Sequence, residues 1–278
     1  MSAIHLDNQL VHYEVFGRGQ PIIFLHSWLG SWRYWVPIMD LISERHRAYA
    51  IDFWGFGESQ RDGNLFTVSE YVNMLCRFMD HMAINKANLV GHGMGGMVAV
   101  RAAREQPDRF LKVMTVCTPL QGELLSQYIN PGMLSKLFGR STPTSVWSRM
   151  IRQVGINDKE MENEIVDDTE ALSEKVLISV NESLLDTDLR ADLEALKLPL
   201  LAVYGGKDTI VPAEHATFLN EASDRTSQLL VMPKANHFPF LDNTSTFNRM
   251  LMDFLVSQGS PVEVKEEWRR RVNQREYL

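Results

Sequence analysis

An aspartate and a histidine in the last third of the chain are residue types that move protons in enzymes. Asp208 ends the segment G-G-K-D, and His237 stands in the segment N-H-F-P. A carboxylate that holds an imidazole prepares it to act as a general base, which takes a proton from water, from a hydroxyl or from an acidic C–H group. The pair predicts acid–base chemistry if the fold brings the two segments together.

The elements that must position these residues follow from the spacing of the apolar side chains. Predicted strands cover residues 9–16, 21–26, 47–52, 87–91, 111–117, 198–205 and 228–232, and the clearest helices cover 68–82 and 94–106. Thr67 and Glu70, at the start of the first helix, have the spacing of a capping box. Short apolar strands that alternate with helices predict an α/β fold with a mostly parallel sheet and helices on both faces.

Five loops that follow predicted strands carry polar and glycine residues. They begin at His26, Asp52, Gly91, Gly205 and Asn236. Open parallel sheets bind their ligands at the carboxyl ends of the strands. We therefore expect these loops to meet at one edge of the sheet and to form the functional site.

In this order, the loops resemble the α/β-hydrolase superfamily along nearly the whole length of the chain. In that family a serine at the centre of a G-x-S-x-G turn is followed along the chain by an acid and then a histidine. The resemblance implies that Asp208 is the acid and His237 the histidine. It also implies the α/β-hydrolase fold, with a helical cap inserted before the strand that bears the acid.

The turn departs from the family at its central position. Residues 91–95 read G-H-G-M-G, so Gly93 stands where the resemblance implies the nucleophile serine. Glycine has no side chain and cannot form an acyl-enzyme. We expect His92 to point away from the site, and we predict no substitute nucleophile in Ser27 or Ser59, because both lie on other loops.

Backbone groups are unaffected by this departure. The resemblance implies an oxyanion hole formed by the backbone N–H groups of Trp28 and Met94, and neither donor depends on a side chain. His26 and Asp52 are also familiar positions of this fold. We expect these two residues to brace loops through hydrogen bonds rather than to act on a substrate.

Three interpretations of Gly93 are open. In the first, the parent protein is a serine hydrolase of an ester or related carbonyl bond, and Gly93 is an inactivating change. In the second, His237 and Asp208 act without a serine as a base dyad, on water or in lyase, isomerase or cofactor-free oxygenase chemistry. In the third, the pocket binds a small molecule without turning it over.

The glycine-rich turn also fits a dinucleotide-binding fingerprint. Gly91, Gly93 and Gly96 have the spacing G-x-G-x-x-G after a strand and before a helix. The fingerprint needs an acid at the end of the next strand, but residues 116–119 read V-C-T-P. The histidines and cysteines show no metal-ligand spacing either. We therefore expect no nucleotide, metal or other cofactor.

The composition of the 278 residues is that of an ordinary globular protein, with 45% hydrophobic and 23% charged residues. The 28 basic and 35 acidic residues give a net charge of −7, which argues against nucleic-acid binding. We see no secretory leader and no apolar run of membrane-spanning length. Cys76 and Cys117 lie in apolar patterns and indicate buried, reduced thiols. We expect a cytoplasmic protein with no membrane partner, compatible with a homodimer.

Residues 121–192 interrupt the alternation, because they show helical patterns and no strand. We predict that they form a helical cap on a core made of residues 1–120 and 193–258. Within the cap, residues 158–174 hold eight carboxylates and one lysine, which predicts a solvated helix face. Residues 259–278, with three arginines at 269–271, are predicted to form a charged, solvated extension.

The substrate pocket is predicted from large apolar residues near the strand ends and in the cap. The residues assigned to it are Trp54, Trp147, Met150 and Phe238, with Met133, Leu134, Leu137 and Phe138 as further cap residues. Such a lining favours a small apolar or aromatic carbonyl compound. For any single one of them, packing between cap and core is the simpler explanation. Arg33 and Lys207 are candidate partners for a substrate carboxylate.

Overall fold

An eight-stranded sheet runs through the part of the chain that the computed structural model describes, which is residues 2–63, 66–126, 143–220 and 227–257. Its strands are β1 (Ser2–Leu6), β2 (Gln9–Gly17), β3 (Gln20–Leu25), β4 (His46–Ile51), β5 (Ala87–His92), β6 (Phe110–Val116), β7 (Leu200–Gly205) and β8 (Ser227–Met232). They lie in the order β1-β2-β4-β3-β5-β6-β7-β8. The β1–β2 and β2–β4 pairs are antiparallel, and all other pairs are parallel.

Helices pack around this sheet. They are α1 (Val36–Ile42), α2 (Val68–His81), α3 (Met94–Glu105), α4 (Pro143–Val154), α5 (Lys159–Glu170), α6 (Glu174–Asp186), α7 (Arg190–Ala195), α8 (Pro239–Asp242) and α9 (Thr244–Val256). Short 3₁₀ turns cover Trp32–Trp35, Pro107–Arg109, Gly122–Leu125 and Ala213–Asn220. The predicted α/β class and mostly parallel sheet are confirmed.

Strand β1 is the element that the sequence prediction lacked. Its five residues form the edge of the sheet and pair in an antiparallel hairpin with β2. An edge strand has one neighbour and is only partly buried, so its apolar pattern is short and weak. The other predicted strands and the two clearest helices lie within two residues of the observed bounds.

The capping prediction for α2 is confirmed for one of its two partners. The Oγ1 atom of Thr67 accepts a hydrogen bond of 3.2 Å from the backbone N–H of Glu70. This bond satisfies one of the donors that a helix start leaves without an intrahelical acceptor. The apolar stripe of α2, which includes Tyr71, Leu75 and Phe78, is buried in the core.

The central strands are continuous apolar runs in the sequence because both of their faces are buried. Every residue of β5 and of β7 is buried, as expected for parallel strands with both faces covered. Cys76 and Cys117 are buried free thiols. None of the described helices is long and apolar enough to span a bilayer.

The helical segment between β6 and β7 contacts loops that follow other strands. Val176 of α6 packs against Gly55, and the amide Nδ2 of Asn236 donates a hydrogen bond of 3.1 Å to the backbone O of Val154. The predicted solvated face of residues 158–174 is wrong in part, because Glu162 and Asp168 are mostly shielded from solvent and pair with cations. Of the predicted cap, residues 127–142 lie outside the described residues, as does the extension at 259–278.

Candidate active site

Asp208 and His237 meet at the carboxyl end of the sheet, in the loops that follow β7 and β8. The Nδ1 atom of His237 lies 2.8 Å from Oδ2 of Asp208, and both side chains are buried. The other carboxylate oxygen, Oδ1, accepts backbone N–H bonds from Ile210 at 2.8 Å and Val211 at 3.0 Å. Because a carboxylate oxygen only accepts, Nδ1 is the donor of this hydrogen bond.

The two loops are held together by backbone contacts that require a glycine. A Cβ on Gly205 would overlap the backbone oxygen of Asn236, so a larger residue would push the His237 loop away. The N–H of Gly206 donates to the O of Met232 at 2.8 Å, and the N–H of Lys207 donates to the O of Ala235 at 2.9 Å. The spacing of the dyad therefore follows from strand pairing.

Gly93 occupies a sharp turn between β5 and α3. Its φ is +51° and its ψ is −115°, a conformation that is strained for residues with a side chain. Its N–H donates to the O of Val116 at 2.9 Å, and its carbonyl accepts from the N–H of Gly96 at 3.1 Å. The turn therefore has the strand–turn–helix form of a nucleophile elbow, with no side chain at its tip.

Ser27 fills the space beside Gly93. A Cβ on Gly93 would overlap Oγ of Ser27, and it would lie 3.0 Å from the Cβ of Ser27 and 2.9 Å from Cζ3 of Trp28. Setting Ser27 aside because it lies on another loop was therefore wrong, since the two loops meet. Ser59 differs, because its hydroxyl donates to the backbone O of Asp52 at 2.7 Å and accepts from the N–H of His12 at 2.9 Å.

The buried atoms Oγ of Ser27 and Nε2 of His237 have no hydrogen-bond partner in the described part of the chain. The Trp28 ring centroid is 5.8 Å from that of His237, and a Cβ built on Gly93 would meet both Cζ3 of Trp28 and Oγ of Ser27. An unbonded hydroxyl and an unbonded imidazole nitrogen beside one aromatic ring are groups that a substrate can engage. No spacing pattern in the sequence indicated this proximity.

A hydrogen-bond chain joins the loop of Ser27 to the loop of His237. The N–H of Ser27 donates to Oη of Tyr34 at 2.6 Å, and the Tyr34 hydroxyl lies 3.2 Å from Nδ1 of His92. The Nε2 atom of His92 donates to the backbone O of His237 at 3.0 Å. His92 thus points away from the tip of the turn, as predicted, and it ties three loops together.

Two buried histidines at the site are neutral. Burial, followed by the nearby His237 ring, lowers the pKa of His92 well below its usual range. Burial also lowers the pKa of His26, whose Nε2 accepts from the N–H of Phe53 at 2.9 Å while Nδ1 donates to the O of Ser27 at 2.6 Å. These two rings brace the loops and leave His237 as the imidazole with a free nitrogen.

Asp52 braces the loops that follow β3 and β4. Its Oδ1 accepts from the N–H of Trp32 at 2.9 Å, and its Oδ2 accepts from the N–H of Glu58 at 3.0 Å and from Nδ1 of His12 at 2.8 Å. The expected bracing role of His26 and Asp52 therefore agrees with the bonds they form.

The two backbone groups assigned to an oxyanion hole flank the turn. Met94 is the first residue of α3, so its N–H has no intrahelical acceptor and lies at the positive end of the helix dipole. Trp28 directly follows Ser27, and its ring lies against Gly93. The two N–H groups come from the two loops that meet at this point.

Cys117, Asp208 and His237 form a buried cluster whose potential metal-ligand atoms lie within 4.8 Å of one another. Sequence spacing did not indicate this cluster. Burial, and next the negative charge of Asp208, raise the pKa of the Cys117 thiol well above its usual range. A thiol that stays protonated is a poor metal ligand and a poor nucleophile. The Asp208–His237 hydrogen bond accounts for the other two members.

The predicted pocket residues fall into two groups. The Trp147 ring lies 6.3 Å from that of Trp28, and the Phe238 ring lies 5.2 Å from that of His237. No ring contact in the described ranges joins Trp54 to the dyad, and Met150 packs against the core. The other assigned cap residues, Met133, Leu134, Leu137 and Phe138, lie outside the described residues.

The two cations proposed for a substrate carboxylate differ. Arg33 pairs with Glu58 at 2.6 Å and with Asp168 of α5 at 3.1 Å, so the carboxylates that it binds are the protein's own. Asp168 also accepts a hydrogen bond from the hydroxyl of Ser31. Lys207 is exposed beside Asp208. Arg33 is therefore a link between the core and the helical segment.

A family model described as the alpha/beta hydrolase fold matches residues 20–195. Among solved structures, the enol-lactonase from Burkholderia xenovorans LB400 matches with a TM-score of 0.78 and 20% identity, covering 92% of this chain and 100% of that one. At this identity the likeness concerns the fold. The family match ends before Asp208 and His237, so the placement of those residues is an independent observation.

Two curated relatives extend the comparison. The dihydrolipoyllysine-residue acetyltransferase component of the acetoin cleaving system of Pseudomonas putida is 31% identical over 260 residues, covering 87% of this chain. The chain spans only 65% of that relative's length. The pimeloyl-acyl-carrier-protein methyl ester esterase of Vibrio campbellii is 25% identical over 255 residues, covering 88% of this chain and 98% of that protein.

Proposed function

The chain belongs to the α/β-hydrolase fold family, and from this premise we propose that it hydrolyses an ester or related carbonyl bond in a small apolar or aromatic substrate. His237 is the general base and Asp208 the residue that orients it. The observation that carries the proposal is the buried Nε2 of His237, which has no partner among the described residues while Nδ1 is held 2.8 Å from Asp208.

The proposed reaction uses each group for one task. Nε2 of His237 takes a proton from the hydroxyl group that attacks the substrate carbonyl carbon. The Asp208 carboxylate stabilises the imidazolium that forms. The N–H groups of Met94 and Trp28 receive the negative charge that develops on the carbonyl oxygen. His237 then returns the proton to the leaving group.

The names of two compared proteins support an ester bond as the bond that this chain cleaves. One is a methyl ester esterase and another an enol-lactonase, and both of these substrate classes contain an ester bond. The aromatic rings of Trp28 and Trp147 beside the dyad support an apolar or aromatic substrate. We extend both arguments to this chain as a proposal.

The surroundings of Gly93 favour a working enzyme over a disabled one. Deleting a serine side chain would leave a hole at the tip of the turn. Here the side chains of Ser27 and Trp28 occupy that place. The glycine fits its neighbours, which supports a protein whose chemistry does not use a side chain at position 93.

We also propose that residues 121–192 form a cap over the site. Its described part reaches the loops after three strands through Asp168 with Arg33, Val176 with Gly55, and Val154 with Asn236. A segment that covers the carboxyl edge of the sheet would limit access to small substrates and exclude water.

The test is a steady-state assay on nitrophenyl esters with short, long and aromatic acyl groups. We expect measurable turnover by the unaltered chain and a loss of about 10²–10⁴-fold in kcat for His237→Gln, because the base is removed. His46→Gln is the matched control, since His46 is the first residue of β4 and lies at the amino end of that strand, whereas the site lies at the carboxyl ends of the strands. We expect that control to keep its rate within about twofold.

Two results would overturn the proposal. Equal rates for the unaltered chain and His237→Gln would remove His237 from the reaction. Absence of turnover on every ester, together with saturable binding of an aromatic ester measured by tryptophan fluorescence, would make the chain a binding protein.

A further inference from the structure

The loop after β3 contains a serine hydroxyl, that of Ser27, which is buried and unbonded among the described residues, whereas the hydroxyls of Ser31 and Ser59 are bonded. Ser31 donates to Asp168, and Ser59 donates to the backbone O of Asp52 at 2.7 Å. The Oγ atom of Ser27 has no hydrogen-bond partner in the part of the chain that the structure describes. A buried hydroxyl without a hydrogen bond is costly, so its retention calls for an explanation.

The backbone of Ser27 is fixed while its hydroxyl is free. Its N–H donates to Oη of Tyr34 at 2.6 Å, and its carbonyl accepts from Nδ1 of His26 at 2.6 Å. Both partners are fully buried. The loop therefore holds Ser27 in place without using Oγ, which is the arrangement a reactive side chain requires.

The geometry points to Ser27 as the nucleophile of this enzyme, its hydroxyl standing in for the side chain that Gly93 lacks. The inference deepens the proposed ester hydrolysis and rests on it. The carrying observation is that Oγ of Ser27 overlaps the place where a Cβ of residue 93 would begin. A hydroxyl thus reaches the tip of the elbow from the neighbouring loop.

Glycine at position 93 and serine at position 27 depend on each other. A Cβ at 93 would overlap Oγ of Ser27 and lie 3.0 Å from its Cβ and 2.9 Å from Cζ3 of Trp28, so a side chain at 93 requires Ser27 to leave its present rotamer and Trp28 to shift. The φ of +51° at Gly93 also disfavours a side chain there. Relative to the family pattern, which has a serine at the elbow, we infer that the nucleophilic hydroxyl is supplied here by Ser27 of the β3 loop. We call this arrangement the exchange.

The covalent step balances with groups already present. Oγ of Ser27 attacks the substrate carbonyl carbon, and its proton passes to Nε2 of His237. The tetrahedral intermediate expels the alcohol, which takes that proton, and leaves an ester on Ser27. Water then attacks this ester, gives its proton to Nε2, and collapse releases the acid while the proton returns to Oγ.

The oxyanion donors fit the exchange. In the ordinary arrangement one donor is the N–H after the nucleophile and the other comes from the β3 loop. With Ser27 as nucleophile, Trp28 supplies the N–H after the nucleophile and Met94 supplies the N–H from the facing turn. The N–H groups of Trp28 and Met94 therefore remain the two oxyanion donors, but Trp28 rather than Met94 now directly follows the nucleophile.

The first experiment labels the full-length chain with a fluorophosphonate and maps the adduct by peptide mass spectrometry. We expect the adduct on Ser27, none in Ser27→Ala, and labelling at least about 10²-fold slower in His237→Gln, because the base is lost. Thr115→Val is the matched control, since Oγ1 of Thr115 is also buried and unbonded but lies within β6.

The second experiment measures ester hydrolysis by the same variants. We expect Ser27→Ala to lower kcat/KM by at least about 10³-fold, as removal of a nucleophile does in serine enzymes, and Thr115→Val to stay within about twofold. Thermal unfolding followed by circular dichroism reports whether each variant is folded.

The third experiment moves the hydroxyl back to the elbow. In Ser27→Gly/Gly93→Ser the colliding side chain is gone, so we expect activity at least about tenfold above Ser27→Gly alone and the fluorophosphonate on residue 93. Gly93→Ser with Ser27 retained is expected to unfold at a lower temperature than the double variant, because the two side chains collide.

The outcomes separate this inference from the proposed function. Ester hydrolysis that depends on His237 but survives Ser27→Ala would overturn Ser27 as the nucleophile and leave the hydrolase with direct attack by water. A lack of fluorophosphonate on Ser27 in the folded, unaltered chain would overturn it whether or not esters are cleaved. Adduct on Ser27 without turnover of any ester would uphold the nucleophile and reject the proposed ester substrates.

Discussion

Two aspartate–histidine pairs with the same contact distance lie in different loops of this protein. In each pair, Nδ1 of the histidine is 2.8 Å from Oδ2 of the aspartate, for His237 with Asp208 and for His12 with Asp52. In each pair both side chains are buried. The surroundings of the second ring nitrogen distinguish them.

Neither Nε2 atom has a hydrogen-bond partner among the described residues, but that of His12 faces two carboxylates. Glu14 lies 3.4 Å and Glu58 3.7 Å from Nε2 of His12. Burial by itself lowers the pKa of His12, but the hydrogen bond to Asp52 and the charges of Asp52, Glu58 and Glu14 together raise it above its usual value. The surrounding acids thus favour the protonated form of His12.

The comparison teaches that an aspartate–histidine hydrogen bond does not by itself make a general base. A base needs a second nitrogen that keeps its lone pair and faces the place where substrate reacts. The carboxylates around His12 favour the protonated ring, which has no lone pair to offer. The predictions below separate the two pairs.

The largest effect is expected from Asp208→Asn. The amide oxygen can keep the backbone N–H bonds of Ile210 and Val211, while the amide NH₂ faces Nδ1 of His237. His237 must then accept at Nδ1 and carry its proton on Nε2, the wrong tautomer for a base. We expect kcat to fall by about 10²–10⁴-fold, measured on the best ester substrate, with unfolding free energy changed by less than about 1 kcal/mol.

The second effect is expected from Asp52→Asn, and it concerns stability. Both oxygens of Asp52 accept backbone N–H bonds, from Trp32 and Glu58, so either amide orientation places an NH₂ group against a donor that cannot reverse. We expect a loss of about 1–3 kcal/mol in the free energy of unfolding, measured by urea titration, with a smaller effect on kcat than in Asp208→Asn.

These two variants serve as controls for each other. The proposed division would be wrong if Asp208→Asn lost stability and kept its rate while Asp52→Asn kept stability and lost its rate. Equal losses of rate in both folded variants would mean that the brace at Asp52 also positions the reacting groups.

The smallest effect is expected in the pH dependence of stability. The pKa of His12 is raised from 6.5, so the stability it contributes is fully present below that pH and is lost as the pH rises through the folded-state pKa. A histidine with a lowered pKa makes the protein less stable as the pH falls, and it does so only below pH 6.5. The histidines of this kind are His26, His46, His92 and His215.

The measurement is the free energy of unfolding from pH 6.5 upward for the unaltered chain and for His12→Gln. We expect the unaltered chain to lose stability over this window more steeply than the variant. Parallel curves would show that His12 is not held as a cation and would remove the contrast with His237.

The order of elements was within reach of sequence reasoning because it depends on local patterns. Apolar runs such as β7 are buried on both faces, and their period and length are visible in the chain. The exception, β1, is an edge strand whose pairing with β2 supplies most of its stabilisation. The partial burial of Asp168 in α5 was missed because its cation, Arg33, comes from a distant loop.

For the site, the sequence indicated Asp208 and His237, since each follows a strand whose carboxyl end must lie at one edge of a parallel sheet. It did not indicate the pairing of His12 with Asp52, which joins residues 40 positions apart on elements with no shared motif. It also placed Ser27 outside the site, because Ser27 and Gly93 belong to different loops and were therefore taken to be far apart.

The sequence by itself determined the alternating strands and helices, the glycine at the tip of the elbow and the presence of an acid and a histidine after the last two strands. Only the tertiary structure decided that the hydroxyl of Ser27 lies beside Gly93 and that carboxylates surround the Nε2 atom of His12 in one of two similar aspartate–histidine pairs. Local patterns report which face of an element is buried. Which side chains meet where separate loops converge depends on the packing of all those loops at once.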